Sequence, residues 1–345
     1  MSDAAQNQHY VPKFILRNFL ADDKKDRVSV FAKSTRRGFV TAVKNVMAER
    51  KFNDFRVSDS LMGSIEEGSG RIENAVLPLY RRILEEQRLS GSLEEKETLA
   101  LFISFQMLRT RAWRDSFVEM EEQLDEHLQK RGASINQVEG YTPLTDDNLK
   151  LLHARSIKES LPKFTEILST KDLLLLRAKR GRAFYLGDDP VVLYNDEPRD
   201  PFWGNIGLTV KGIQIYVPLS ADMMLAAWCP SILREMEESS SAAHAKLDTA
   251  YVNTILSPII AGRSDITALR DQIKLARESL RKTSEFVAAC RSGVPADMTD
   301  DNMDFYNSMQ VQSAREYVVC RDSDFRLARR FVTENGVKKR KLQLS

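Results

Sequence analysis

The chain has 345 residues, 42% of them hydrophobic and 29% charged, enough to bury a sizeable core as one large domain or two closely packed ones. Fifty-one basic against 49 acidic side chains leave a net charge of +2, which excludes a global nucleic-acid signature and confines any DNA surface to local clusters. Three well-separated cysteines without a CxxC point away from a disulfide framework or a structural zinc site. No signal peptide is read at the start, and no run of about 18 uncharged apolar residues could span a bilayer, so a cytoplasmic protein without membrane contact is expected.

Asn7 to Phe19 reads Asn-Gln-His-Tyr-Val-Pro-Lys-Phe-Ile-Leu-Arg-Asn-Phe. Phe14, Ile15, Leu16 and Phe19 suit a short helix entered at Pro12, which fits a first helical turn. His9 and Tyr10 would precede it, where outward N–H groups and the positive dipole end favour an anion or polar ligand. The plainer alternative is that Gln8, His9 and Tyr10 cap and staple that helix. Val28, Val30 and Ala32, then Phe39, Thr41 and Val43, alternate around Ser34 to Gly38 as a hairpin. Ile65, Ile72, Ala75, Val76 and Leu79 predict a helix from about Leu61 to Glu86, kinked near Pro78. Ser92 with Glu95 resembles a capping box before one long helix reaching about Lys130. Arg131 to Tyr141, with Gly132 and Gly140, is the best boundary. It separates residues 1–131 from a second part, 141–330, packed on it as one composite domain, with a basic tail at 331–345. A further helix runs from about Asp146 to Leu168.

From Leu173 the period changes. Leu174, Leu176 and Ala178 approach Arg180-Gly181, and Ala183, Tyr185 and Gly187 leave it, which predicts a second hairpin ending at the turn Asp188-Asp189-Pro190. Ile213, Ile215 and Val217 alternate as a strand, with Met223 to Trp228 as its partner. Glu235 to Leu256 and Ala268 to Lys282 read as helices, residues 292 to 309 show no sustained period, and Tyr317, Val319 and Cys320 suit a last strand. The fold class is α+β, with a helix-rich first half and a mixed or antiparallel sheet in the middle.

Four carboxylates attract chemical interest. Glu66 and Glu73 are seven residues apart on one side of a helix, about 10 Å from each other, suiting separate roles in one cleft or a solvated face. Asp188 and Asp189 end a strand, and Pro190 pushes Asp189 to an extended backbone. Such acids suit catalysis, metal binding or turn formation equally. A metal site from His9, Glu66 and either aspartate is conceivable, without the close ligand spacing that would argue for it. Gln106 and Arg109 share a helix face, where an Arg can clamp a phosphate or a carboxylate such as Glu66. Basic side chains cluster at Arg109/Arg111/Arg114, at Arg177/Lys179/Arg180/Arg182 and in the tail. The Lys179-Arg180 tip suits a phosphate grip or a solvated turn. Tyr10, Tyr194, Phe202 and Trp203 are available as wedges for an extruded base, or as core. No GxGxxG, Walker A, HExxH or GxSxG pattern is present.

As a set, these stretches resemble a DUF4238-like bacterial family of unknown function whose members open with Gln-His-Tyr-Val-Pro, then Leu-Arg-x-Phe. Phe52-Asn53 is similar to its Asn-Phe/Tyr element, and Ile65-Glu66 to Ile72-Glu73 to its paired-Glu helix. Gln106 with Arg109-Thr110-Arg111 resembles its Gln-x-x-Arg-Thr helix. Leu186 to Val191 resembles its Ser-Asp-Asn-Pro-Val turn, and Val217 to Ser220 its Pro-Leu-Ser strand. Gly187 and Asp189 stand where Ser and Asn are commoner. The resemblance implies phage defence by a DNA glycosylase acting on modified phage bases such as glucosylated hydroxymethylated cytosine, leaving an abasic site. Hydrolysis of an N-glycosidic bond needs a stabilised sugar cation, an activated water and help for the departing base. On that reading the catalytic candidates are His9, Glu66, Asp188 and Asp189. The substrate-binding candidates are Asn7, Gln8, Tyr10, Arg17, Asn53, Gln106 and Arg109, and Arg111, Lys179 and Arg180 would meet the DNA backbone. No metal or other cofactor is expected. The alternatives are a metal-dependent nuclease using Asp188, Asp189, Glu66 and His9, and a non-catalytic sensor of nucleic acid or a phage component.

Overall fold

The computed structural model describes residues 7–58, 60–198, 204–252 and 267–336. The opening block forms β1 (Asn7–His9), then, directly after Pro12, the four-residue helix α1 (Lys13–Leu16). His9 and Tyr10 therefore lead into the helix from a strand. Next come β2 (Leu20–Asp22), β3 (Arg27–Ala32) and β4 (Arg37–Ala42), the last two paired as the expected hairpin with Val30 opposite Phe39. β5 (Ala48–Arg50) returns to pair with β1.

The helix expected from residue 61 starts later. Leu61–Ser64 is a strand, β7, paired with β6 (Asp54–Ser58), and α2 runs from Glu66 to Glu86. Gly63 allows this pairing, because a Cβ there would lie 2.6 Å from the Phe55 ring. The single long helix expected after Ser92 is two, α3 (Leu93–Leu108) and α4 (Arg111–Gln129). The break falls at Thr110, whose extended backbone and hydroxyl cap α4. Thr145 caps α5 (Asp146–Ser169) in the same way.

β8 (Asp172–Arg177) does not turn back onto the strand that follows it, so the second expected hairpin is absent. It pairs antiparallel with β12 (Met223–Trp228) and parallel with β13 (Ala296–Asp297). β9 (Leu186–Gly187) instead joins β14 (Tyr317–Val319) in the other sheet. Alternation identifies a strand but not its partner. Here the partner follows from burial on both faces. Leu175 and Leu225 enter the main core, while Leu174, Leu176 and Met224 enter a second cluster. Only an interior strand can satisfy both. β10 (Val192–Tyr194) and β11 (Gln214–Pro218) complete the sheet β10-β11-β12-β8-β13. The other sheet runs β2-β3-β14-β9, with β4 also paired to β3.

The second cluster is covered by α6 (Pro230–Tyr251), α7 (Thr267–Ser292) and α8 (Asp300–Ser313), through Leu233, Cys290, Met303 and Tyr306. α8 occupies the stretch that showed no sequence period; a Thr299/Asn302 capping box starts it. α9 (Arg326–Asn335) closes the described chain. Phe202, Trp203, residues 253–256 of the expected helix and residues 337–345 of the tail lie outside the described residues. The main core draws on residues from Tyr10 to Val332, joining both parts of the sequence. The architecture is α+β. Among the described residues, no helix is long and apolar enough to cross a membrane.

Candidate active site

Two side chains of the long-helix motif hold the opening block by its backbone. Gln106 Nε2 donates to the Tyr10 carbonyl at 3.0 Å, and Arg109 Nη2 donates to the His9 carbonyl at 2.7 Å. Arg109 Nη1 reaches Glu73 at 2.5 Å, and the guanidinium is only 3% exposed. The clamp is therefore spent inside the protein. Gln8 bridges Asp54, at 2.9 Å, and the Asn53 N–H, at 2.6 Å, while the Asn53 amide donates to Glu66. Gln8, Asn53 and Glu66 thus form one chain that ties β1 to the start of α2. His9 Nε2 lies 3.1 Å from the Val43 carbonyl, and burial lowers the imidazole pKa, so the ring is neutral. Arg17 pairs with Asp26 at the surface, and Asn7 is exposed.

Tyr10 faces a different group. Its ring packs on Phe52 at 5.3 Å, and its hydroxyl feels the charges of Asp188, Glu49 and Arg111. Burial, reinforced by the two carboxylates, raises the phenol far above its ordinary range, so it remains a neutral donor. Asp188 is fully engaged. Its Oδ1 accepts the Arg315 N–H at 2.7 Å, and its Oδ2 accepts the N–H groups of Glu316 at 2.9 Å and Tyr317 at 3.0 Å. Burial pushes this carboxyl up, and the three N–H groups and Lys33 oppose the rise. Lys33, 2% exposed, donates to the Val311 and Ala314 carbonyls at the end of α8. Together Lys33 and Asp188 pin the segment from Val311 to Tyr317.

Asp189 retains partial solvent exposure. Its Oδ1 accepts the Thr110 hydroxyl at 3.2 Å and its Oδ2 accepts the Ser313 hydroxyl at 2.7 Å. Burial, with Asp188 adding to it, pushes this carboxyl up to about 6 against the hydroxyl bonds and Arg315. Glu49, whose charge reaches the Tyr10 hydroxyl, lies 2.9 Å from Arg114 and 3.3 Å from Arg111. The Arg114 guanidinium stacks over Phe52 at 4.1 Å. Glu49 Oε1 and Arg114 Nη1 are buried without a hydrogen bond. Glu49 Oε1 is nonetheless ion-paired with Arg111 Nη1.

Of the candidate residues, the structure brings together Tyr10, Asp188, Asp189 and Arg111, and adds Glu49, Thr110, Arg114, Ser313 and Arg315. Among the described residues, no hydrogen bond or ion pair joins His9 or Glu66 to either aspartate. Lys179 pairs with Asp300 at the start of α8, and Arg180 is exposed. Thr110 sits inside a stretch already singled out by sequence. Glu49 and Ser313 had no legible signal, since nothing in their local pattern points inward. Among the described residues, no group of three or more His, Cys, Asp or Glu side chains is placed to hold a metal ion.

Fold and site together define an α+β protein with an acid-centred polar cluster, built where the residue after β1, the α3–α4 break and the turn after β9 meet. Residues 7–324 match the family described as "Protein of unknown function (DUF4238)", and the chain belongs to that family. No curated protein and no solved structure matches it.

Proposed function

We propose that the protein is a DNA glycosylase that hydrolyses the N-glycosidic bond of a modified base, glucosylated hydroxymethylcytosine being the substrate of choice, and that it thereby defends a bacterium against phage. The observation that carries this reading is the Asp189 carboxyl, semi-buried and hydrogen-bonded by two hydroxyls. With its pKa lifted to about 6, Asp189 is mostly ionised at neutral pH yet basic enough to take a proton from water. Ionised, it also stabilises a positive sugar. Neutral Tyr10 is a donor for the departing base, and half-exposed Arg111, braced by Glu49, is a contact for a phosphate beside an extruded nucleotide. Asp188 is a positioning residue on this account, because both its oxygens are taken by backbone amides.

A nuclease of the kind weighed from the sequence would gather His9, Glu66 and the aspartates on one ion, but His9 and Glu66 are bonded elsewhere. The reading is tested by base release from modified DNA. Asp189→Asn is expected to abolish it while Glu66→Gln retains it, and equal release by wild type and Asp189→Asn would reject it.

A further inference from the structure

Among the described residues, β4 stands at an edge of its sheet, paired to β3 alone. Tyr317 of β14 pairs with Ala32 of β3, and Ala32 pairs with Arg37 of β4. The Asp188 N–H donates to the Tyr317 carbonyl at 2.9 Å. Asp188, Tyr317, Ala32 and Arg37 therefore form one row across the sheet, about 14 Å long at ordinary strand spacing. Cross-strand partners share a face, as do alternate residues of one strand, which sets Arg37, Phe39 and Tyr317 on one side of the sheet. On that side Ala32 and Val30 are 6% and 0% exposed, but Phe39, opposite Val30, is 43% exposed. The cover of the core stops at β3 and leaves β4 open. Phe39 meets the half-buried Tyr317 ring edge to face at 6.4 Å, which braces it without burying it. From behind, Gly38 backs onto Phe325, whose ring lies 3.3 Å from where a Cβ would stand. The turn and the outer strand carry Arg36, Arg37 and Lys44, all exposed, and no acid from Ser34 to Lys44. Among the described residues, the side chains of Arg36 and Arg37 make no hydrogen bond or ion pair.

We propose that this edge is a stacking platform for unpaired DNA, which extends the polar cluster around Asp188 and Asp189 outward to the nucleotides flanking the extruded one. Phe39 takes the face of a base, and Arg36 and Arg37 take backbone phosphates. Free cations beside an exposed aromatic suit a polyanion with flat rings, and the row from Arg37 leads to the acid cluster. A duplex hides its base faces inside the stack, so the strand held here is unpaired. Stacking is indifferent to base identity, because every base has a π-face. The platform thus grips the strand while the acid cluster selects the base. The inference rests on the glycosylase reading for the extruded nucleotide, but not for the binding of the strand.

The experiment follows the fluorescence anisotropy of a labelled, unmodified oligothymidylate with full-length protein as salt is varied, so that binding is read without base release. Wild type is expected to bind, and Phe39→Ala to weaken binding about tenfold with an unchanged salt dependence. Phe39→Trp should restore it, with the added indole emission quenched by the oligonucleotide. Arg37→Gln should weaken binding and lower the slope of log affinity against log salt by about 0.7. Wild-type protein that does not bind, or Phe39→Ala that binds as tightly as wild type, overturns the proposal. A dimer in sedimentation that Phe39→Ala splits, with no oligonucleotide bound, gives the edge to a second copy of the chain and overturns it too. The two readings fail separately. Binding losses as expected, with no abasic sites on modified DNA, reject the catalysis and keep the platform. Abasic sites made by a protein whose strand binding Phe39→Ala does not change reject the platform alone.

Discussion

One hydroxyl, that of Thr110, serves both Asp189 and a helix terminus. It accepts the Trp113 N–H at 3.2 Å, capping α4, and donates to Asp189 Oδ1 at 3.2 Å. The break that divides a helix-forming stretch is thus also what sets the acid. Thr110→Ala should cost about 1 kcal/mol for the lost cap and raise the Asp189 pKa further, by removing a bond to the ionised form. Thr110→Ser should restore both. Urea melts across pH 5 to 8 check this, and a pH-independent loss would leave the hydroxyl with its capping role alone.

Asp189 also makes stability depend on pH in a defined sense. Its folded pKa, about 6, is above its unfolded one, so its contribution is greatest below the unfolded pKa and is lost as pH rises through about 6. Asp189→Asn removes that loss. The variant should be more stable than wild type by about 1–3 kcal/mol at pH 7.5, and the gain should fade toward pH 4. Denaturant midpoints at the two pH values measure it, and destabilisation at pH 7.5 would contradict the assignment.

Arg109 is a structural clamp in this fold. Arg109→Ala leaves the His9 carbonyl unpaired and Glu73 without its cation, and should cost about 3 kcal/mol or more in urea unfolding. Arg109→Lys keeps the charge but not the two-pronged geometry, and should fall between. A loss under 1 kcal/mol for alanine would show that β1 is held by its other bonds.

The packing around Gly187 leaves no room for a side chain. A Cβ would lie 2.9 Å from the Gln310 carbonyl and 3.2 Å from Gln310 Oε1, which accepts the Gly187 N–H at 2.9 Å. Gly187→Ser should therefore destabilise by about 1–3 kcal/mol, read from thermal unfolding. An unchanged midpoint would mean that α8 shifts at no cost.

Local pattern carried much of the fold. The β3–β4 hairpin, α5, β11 and β12 follow from period and caps that act within a few residues. Pairing across distance did not. β8 and β9 look like two arms of a hairpin until burial on both faces sends each to a different sheet, and β14 reaches β3 across most of the chain. The site divides the same way. Tyr10, Arg111, Asp188 and Asp189 lie in stretches that stood out by composition, but their meeting depends on β9 joining β14 and on the α3–α4 break. Glu49 and Ser313 enter only through that tertiary arrangement.

The most direct test incubates purified protein, with EDTA present, on unmodified DNA and on DNA carrying glucosylated hydroxymethylcytosine, and probes for abasic sites with an aldehyde-reactive reagent. Abasic sites are expected on the modified DNA alone, with a rate that rises with pH through about 6 and is lost in Asp189→Asn. Abasic sites made equally well by Asp189→Asn, or none on either DNA from protein of native fold, would contradict the glycosylase account.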